Sequence, residues 1–445
     1  GLTVADAFSI LATSPTLLRG SQPIQLSGPT AAIASMAGGD TITNRGTITG
    51  QGNIDAEFVN DAGASVVATS GGTLQIAGMM SKVNDGLFEA MESGTLHIAA
   101  DITGSGSYLA DGGTIEIQAN IVENPPGSNV AFTAQGGSIV VGMVTPSVSI
   151  DGCGPVIVIP RTGTPNQSAS MSADNAFVMN ASSWTIGDDQ VGVNLTAMMS
   201  LVNDSVGLVN GPVTVRQNGT LQILNSSLTA VDFVAEDGGA IIVGSAVTLS
   251  GSFANGLTDG TPAGWSWAPG SVLTFTGGQT ASVQPCTLDG WTTLEVASKD
   301  NGSTGVMNEF AFGDIELTAG AHVSLVDLAA NNSPAVVEAV YCDNLTLGAG
   351  AVLNLNRVNL YVGGVRLSPG PSGGGTITDE TRVAGGGLLG DVNGDGVSNI
   401  ADLTGFVDVL LGIDTDPVHA CSADMNTDGT ADGGDIQAFV SSLIP

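Results

Sequence analysis

Two stretches near the C-terminus carry oxygen ligands at the spacing that a hard divalent cation requires. Asp391 to Asp402 reads Asp-Val-Asn-Gly-Asp-Gly-Val-Ser-Asn-Ile-Ala-Asp, and Asp424 to Asp435 reads Asp-Met-Asn-Thr-Asp-Gly-Thr-Ala-Asp-Gly-Gly-Asp. Calcium takes six to eight oxygens, and a twelve-residue loop supplies them from positions 1, 3, 5, 7, 9 and 12, with glycine at 6. In the first loop these are Asp391, Asn393, Asp395, the carbonyl of Val397, Asn399 and Asp402, with Gly396 at the bend. In the second they are Asp424, Asn426, Asp428, the carbonyl of Thr430, Asp432 and Asp435, with Gly429. Position 9 acts directly or through water. Both loops fill every ligand position, so the pattern predicts two bound calcium ions rather than two polar turns.

Each loop must be held by the segment after it. Ile400, Leu403, Phe406, Val407, Leu410 and Leu411 recur at helical spacing, and Gly412 ends the run. Ile436, Phe439, Val440, Leu443 and Ile444 repeat the arrangement. The two apolar faces are expected to pack together about a pseudo-twofold axis. No long helix precedes either loop, so each repeat is half an EF-hand.

Tandem loop–helix repeats of this kind, with Asp rather than Glu at position 12, resemble a type I dockerin. The resemblance covers residues 388–445. It implies a small α-helical domain that folds on binding calcium and docks a cohesin-like partner on a scaffold or cell surface. In that family the usual contact residues are loop positions 10 and 11. Here these are Ile400-Ala401 and Gly433-Gly434, where the family carries hydroxyls. The chain as a whole resembles secreted planctomycete-type proteins that end in dockerin-like modules.

Upstream, an internal repeat runs from about 41 to 250. Its marker reads Gly-Gly-Thr-Leu-Gln-Ile at 71–76, Ser-Gly-Thr-Leu-His-Ile at 93–98 and Gly-Gly-Thr-Ile-Glu-Ile at 112–117. It returns at 136–141, 218–223 and 238–243. A second marker, Val-Asn-Asp, stands at 59–61, 83–85 and 202–204, the last two within a longer match, Met-Met-Ser-x-Val-Asn-Asp. Alternation puts every second side chain inward, and the Gly and Asn positions turn corners where φ is positive. One coil cannot bury its apolar face alone, so the pattern predicts stacked coils: a mainly β chain, a parallel β-solenoid over 41–368. Residues 251–368 keep the logic at a longer spacing of about 30, as wider coils. Residues 1–40 are expected to be an N-terminal cap or leader remnant, with Val4–Leu18 a short helix or a cap over the first coil. Residues 369–387, rich in Gly and Pro, read as a flexible linker.

Composition narrows the partners. The net charge is −33, with 9 basic against 42 acidic residues and only two lysines, Lys82 and Lys299. Phosphate backbones and anionic membranes are bound mainly through Lys and Arg, so nucleic acid is not an expected partner. No stretch is long and apolar enough to span a membrane. Four cysteines, at 153, 286, 342 and 421, form no Cys-x-x-Cys pair, which leaves buried thiols or one or two disulfides open. The chain begins at Gly1 without a basic n-region; the tail's calcium chemistry favours a secreted chain at an extracellular or cell-surface location.

No catalytic constellation stands out. The seven arginines do not cluster with carboxylates, Asp188-Asp189 reads as a turn, and His97 and His322 fall at outward positions of alternating runs. Two functions remain. One is a secreted structural or adhesive solenoid attached through a calcium-folded module. The other is a polysaccharide hydrolase or lyase targeted by the same tail, which needs paired carboxylates, or an Arg or Lys beside a carboxylate, on adjacent coils.

Overall fold

The structure is a computed structural model. It describes the whole chain apart from residues 1, 6–8, 36–39, 70, 125–129, 142–147, 152–154, 160–167, 175, 188–195, 258–263, 278–290, 296–297, 301, 303–309, 328–337, 380–389, 394–397, 415–416, 426–430 and 444–445. The chain is mainly β, built from parallel sheets of solenoid-like character, and forms two compact units: Gly1–Thr248 with Gly256–Ser271, and Leu249–Asn255 with Val272–Pro445.

In the first unit the Gly-Gly-Thr marker strands form one parallel ladder. Thr73 lies beside Thr95, Thr95 beside Thr114, and Thr114 beside Ser138. Two strands that lack the marker, Ala169–Asp174 and Ala197–Val202, continue it before Gly219–Leu224 and Ala240–Val243 rejoin. Leu74, Leu96, Ile115, Ile139, Met171, Met199, Leu221 and Ile241 therefore stack on one another, all fully buried. A second inward ladder stacks Phe88 edge-on against Tyr108, which lies flat on Phe132 at 4.8 Å. Each such side chain contributes about 1.5–3 kcal/mol of burial. Tyr108 is wholly enclosed, and that enclosure raises its phenol pKa far above the ordinary value.

The paired glycines of the marker serve two separate needs. The first residue of the pair turns the corner, as at Gly112 with φ +74°. The second lies against the coil before it: a Cβ at Gly113 would stand 2.6 Å from the backbone of Ala90. Larger residues fail there on packing, not on dihedral angle.

The Val-Asn-Asp marker divides. Asn60 and Asn84 stack in register with Asn44 as a buried ladder. The Asn44 amide donates to Asn60 at 2.8 Å, and the Asn60 amide donates to Asn84 at 2.9 Å. Asn44 and Asn60 also donate to the carbonyls of Ser65 and Leu87. Val202-Asn203-Asp204, matched so closely in sequence to 83–85, lies in a different place. It ends the strand Ala197–Val202 of the marker ladder, with Asn203 and Asp204 at φ +52° and +62° and Asp204 exposed. The seven-residue match between 79–85 and 198–204 is therefore not a structural equivalence.

In the N-terminal region the helical alternative for Val4–Leu18 does not hold. Among the described residues of 4–18 none is helical: Leu2–Ala5, Ser9–Ala12 and Thr16–Leu18 are strands. The first two pair in parallel with Ile24–Ser35, and the third with Thr41–Asn44. Their short alternation is too brief to register as period two, and the partner strands supply the pairing.

The second unit carries the wider coils. Ile315 lies beside Leu345 and Val323 beside Leu353, each an advance of 30 residues. The expected linker begins later than predicted. Gly370–Ser372 and Gly375–Thr378 form an antiparallel hairpin whose second strand pairs in parallel with Val352–Asn354. Gly373, at φ +58°, lies in the two-residue turn, so glycine there marks a hairpin rather than a flexible segment. The rest of the linker, 380–387, lies outside the described residues.

Among the described residues near the C-terminus stand three short α-helices: α1 (Leu403–Leu410), α2 (Pro417–Ala423) and α3 (Ile436–Leu443). Among the described residues no helix is long and apolar enough to cross a membrane.

Candidate metal centre

Seven of the twelve expected ligands are described: Asp391, Asn393, Asn399, Asp402, Asp424, Asp432 and Asp435. Asp395, Val397, Asn426, Asp428 and Thr430 lie outside the described residues. Among the described residues no three acidic, His or Cys side chains gather at a metal-binding distance.

The described ends of the two loops have the same local construction. In the first, Asp402 folds back over the loop: its Oδ1 accepts from the Asn393 N–H at 2.9 Å and its Oδ2 from the Asn399 N–H at 2.8 Å. Asn399 Oδ1 in turn accepts from the Ala401 N–H at 2.7 Å, a capping box that starts the 3-10 turn Ile400–Asp402 leading into α1. In the second, Asp435 Oδ2 accepts from the Asp432 N–H at 2.8 Å, and Asp432 Oδ1 accepts from the Gly434 N–H at 2.7 Å. Positions 9 and 12 thus play one role twice. The residue at position 12 is fully buried in both loops, and Asp391 and Asp424 at position 1 are buried as well.

Four buried carboxylates need compensation. Residues 383–445 contain no Lys or Arg. The one histidine of that segment, His419, bonds to Asp414 at 2.6 Å. Backbone N–H groups meet part of the need. The donor type and spacing of the loops match those of a calcium site.

A shared core fixes the loops against each other. Phe406 of α1 and Phe439 of α3 stack at 4.0 Å, nearly parallel, with Val392, Val409 and Ala423 buried around them. Val392 and Met425, both at loop position 2, pack into this cluster. The apolar arc of α1 is wider than the part its neighbours cover. Phe406 and Val409 are buried and Leu410 is partly so. Ile400, Leu403, Val407 and Leu411, expected on the packed face, are exposed, Ile400 by 69% and Leu411 by 67%. In α3, Phe439 is buried while Ile436 and Val440 are exposed. The 33-residue repeat maps Leu403 onto Ile436 and Val407 onto Val440, so both helices expose the same two positions. Spacing identified the helices, but a single aromatic per helix makes the core.

The catalytic candidates do not assemble. His97 lies mid-strand at an outward position between Gln75 and Glu116, and His322 lies outward with its ring against Trp291. Asp188-Asp189 lies outside the described residues. Arg45 pairs with Asp61, and Arg216 with Glu236. Among the described residues, burial raises the carboxyl pKa of Glu89, aided by the Asp111 charge, and that of Asp327. Cys342 is a buried free thiol whose pKa is pushed up to about 12 by burial and nearby Asp343 and Asp314, which makes it inert.

One cluster was not visible in the sequence. Asp300 accepts from the Gly302 N–H, the Asn359 amide and the Tyr361 hydroxyl, and Tyr361 stacks on Tyr341 at 5.0 Å. Burial works to raise the Asp300 pKa, but these bonds outweigh it and the carboxyl sits below its ordinary range. Asn359 and Tyr361 lie some sixty residues away, with no motif to announce them. The carboxylate is spent on three donors and acts as a latch.

Comparison with protein-family models, with curated proteins and with solved structures finds no match for this chain.

Proposed function

We propose that this is a secreted or cell-surface structural protein: a Gly-rich β-solenoid attached or assembled through a C-terminal module that folds around two calcium ions. One observation carries the reading. Both loops bury the carboxylates of positions 1 and 12, in a segment with no Lys or Arg of its own. Binding of calcium to a site that the unfolded chain lacks becomes folding free energy. Asp391, Asn393, Asp395, Val397, Asn399 and Asp402 would hold the first ion. Asp424, Asn426, Asp428, Thr430, Asp432 and Asp435 would hold the second.

The attachment surface in this reading is the pair of exposed apolar rows on α1 and α3. In the dockerin family that this segment resembles, the usual cohesin contacts are loop positions 10 and 11, which precede these helices. Ile400-Ala401 and Gly433-Gly434 make the loop ends apolar or small where that family uses hydroxyls, so a partner here would be read through packing more than through hydrogen bonds. Strand register supports a solenoid that displays rather than catalyses: apart from Lys82, the inward ladders described above are apolar or amide, and the described histidines and arginines are dispersed.

The test uses the full chain, stripped with chelator and titrated with calcium. Helical circular dichroism and protease resistance of the tail should rise together, while the β signal stays constant. An unchanged helical signal up to millimolar calcium would refute the module's role.

A further inference from the structure

The corner at which the Val-Asn-Asp match breaks down forms a groove. It spans three successive coils of the first unit, is lined by Asn203, Asp204, Ser205, Asn225, Ser227 and Ser245, and has a volume of about 680 Å³. That volume is within the range of small-molecule sites. Its floor is backbone in an unusual state. Asn203, Asp204 and Asn225 all have positive φ, +52°, +62° and +49°, and the Asp204 N–H donates to the Asn225 carbonyl at 2.7 Å. Two consecutive non-glycine residues in the left-handed region cost free energy that an ordinary corner avoids. In the coils at 60 and 84 the same Asn type lies inward in the buried ladder, whereas here Asn203 and Asp204 line the groove.

The lining selects among ligands. The Asn203 and Asn225 amides, the Asp204 carboxylate and the Ser227 and Ser245 hydroxyls make the lining polar, with Val206 its one apolar side chain, while Ser205 is fully buried and donates to the Ala173 and Val202 carbonyls; such a lining does not suit an apolar ligand. No Lys or Arg is among the described residues that line it, so a phosphate or a uronate finds no counter-charge and meets the Asp204 carboxylate instead. One carboxylate gives a calcium ion too few charged oxygens. Successive coils stand about 4.8 Å apart, so the groove offers polar groups over roughly 10 Å along the stack. A neutral sugar chain, with hydroxyls on every unit, matches that array.

We propose that this groove binds a short segment of a neutral polysaccharide without cleaving it. Glycoside hydrolysis calls for two carboxyl groups flanking the bond, and Asp204 is the only titratable side chain in the described lining. With no aromatic ring among the described lining residues to stack on a sugar, affinity is expected at the millimolar level. The groove belongs to the first unit alone and stands apart from the calcium reading of the tail.

The experiment is saturation-transfer NMR on the full chain in calcium buffer, with the hexamers of cellulose, xylan and mannan against polygalacturonate of equal length. At least one neutral hexamer should bind with a millimolar Kd, and polygalacturonate should bind at least tenfold more weakly. Asn225→Gly keeps the positive φ available while removing the amide, and should weaken binding at least fivefold. Ser227→Met fills the groove without adding a ring that could stack on a sugar, and should abolish it. Circular dichroism of both variants should match the parent, so that a loss of binding is not a loss of fold. Absence of binding by all three neutral hexamers at about 10 mM overturns the proposal. So does binding that both folded variants leave unchanged, or preferential binding of polygalacturonate.

Discussion

The β ladders of the first unit and the C-terminal loops are both repeats, yet they handle buried polarity in opposite ways. In the ladders a buried polar side chain meets its own kind from the next coil: Asn44 bonds to Asn60, and Asn60 to Asn84. Amides carry donor and acceptor together, so a stack of them satisfies itself without an external group. The loops instead bury carboxylates, which only accept when ionised. Ionised carboxylates cannot bond to one another as amides do, and in the proposed function calcium supplies the complement. Repetition alone therefore does not make a self-sufficient structure; the chemistry of the repeated side chain decides.

The sharpest way to break this contrast is to remove a carboxylate from the loops. Asp402→Ala deletes the acceptor of two loop N–H groups and the expected ligand at loop position 12. It should weaken calcium binding at the first loop by about 100-fold or more, about 2.7 kcal/mol, as read by titration calorimetry. The β signal of the chain should not change. Phe439→Ala attacks the tail from its core. It removes the stacked partner of Phe406 and should cost about 3–5 kcal/mol of tail stability, measured by hydrogen exchange in α1 and α3.

The same logic applied to the ladder gives a smaller effect. Asn60→Ala removes the amide's bonds to Asn44, Asn84 and the Leu87 carbonyl from a buried ladder, at a cost of about 2–3 kcal/mol local to those coils. Hydrogen exchange should report it near residues 44–107 and nowhere in the tail. A protection loss spread over both regions contradicts the separation between them.

Lys82 sharpens the contrast from the other side. It stands in an inward ladder position between Phe58 and Ile102, 1% exposed, with its Nζ donating to the Met80 carbonyl. Burial lowers its pKa, and the charges of Asp55 and Glu57 offset this in part. A folded-state pKa below the unfolded value of 10.5 means that the unfolded chain binds more protons between the two values. Stability should therefore fall as pH drops from about 10.5 towards the folded pKa, and stay lowered below it. Lys82→Met should remove that pH dependence and stabilise the chain by about 1 kcal/mol at pH 7, read from denaturation midpoints at about pH 7 and pH 10. Destabilisation by Lys82→Met at both pH values contradicts it.

The legibility of these features in the sequence depends on what each signal encodes. The Gly-Gly-Thr strands were readable because close approach at Gly113 and alternation at Thr114–Ile117 both leave a local trace. The coils at 169–174 and 197–202 were not, since Ser-Met-Ser and Met-Met-Ser alternate without a glycine corner. Val202-Asn203-Asp204 misled for the converse reason: identical residues take inward or outward positions according to the corner beside them. The hairpin at 370–378 hid behind its glycines. In the tail, loop spacing located Asp402 and Asp435, whose bonds back to the loop the structure gives. Helical periodicity found α1 and α3 but could not tell Phe406 from Val407, because burial depends on a neighbour that periodicity does not name.

Calcium stoichiometry tests the central claim most directly. The full chain, stripped of metal, is titrated by isothermal calorimetry alongside an Asp402→Ala/Asp435→Ala variant. The parent should bind two calcium ions per chain with a parallel gain in helical signal, and the variant should lose both events. Heats too small to measure up to millimolar calcium, or two ions bound equally well by the variant, would contradict it.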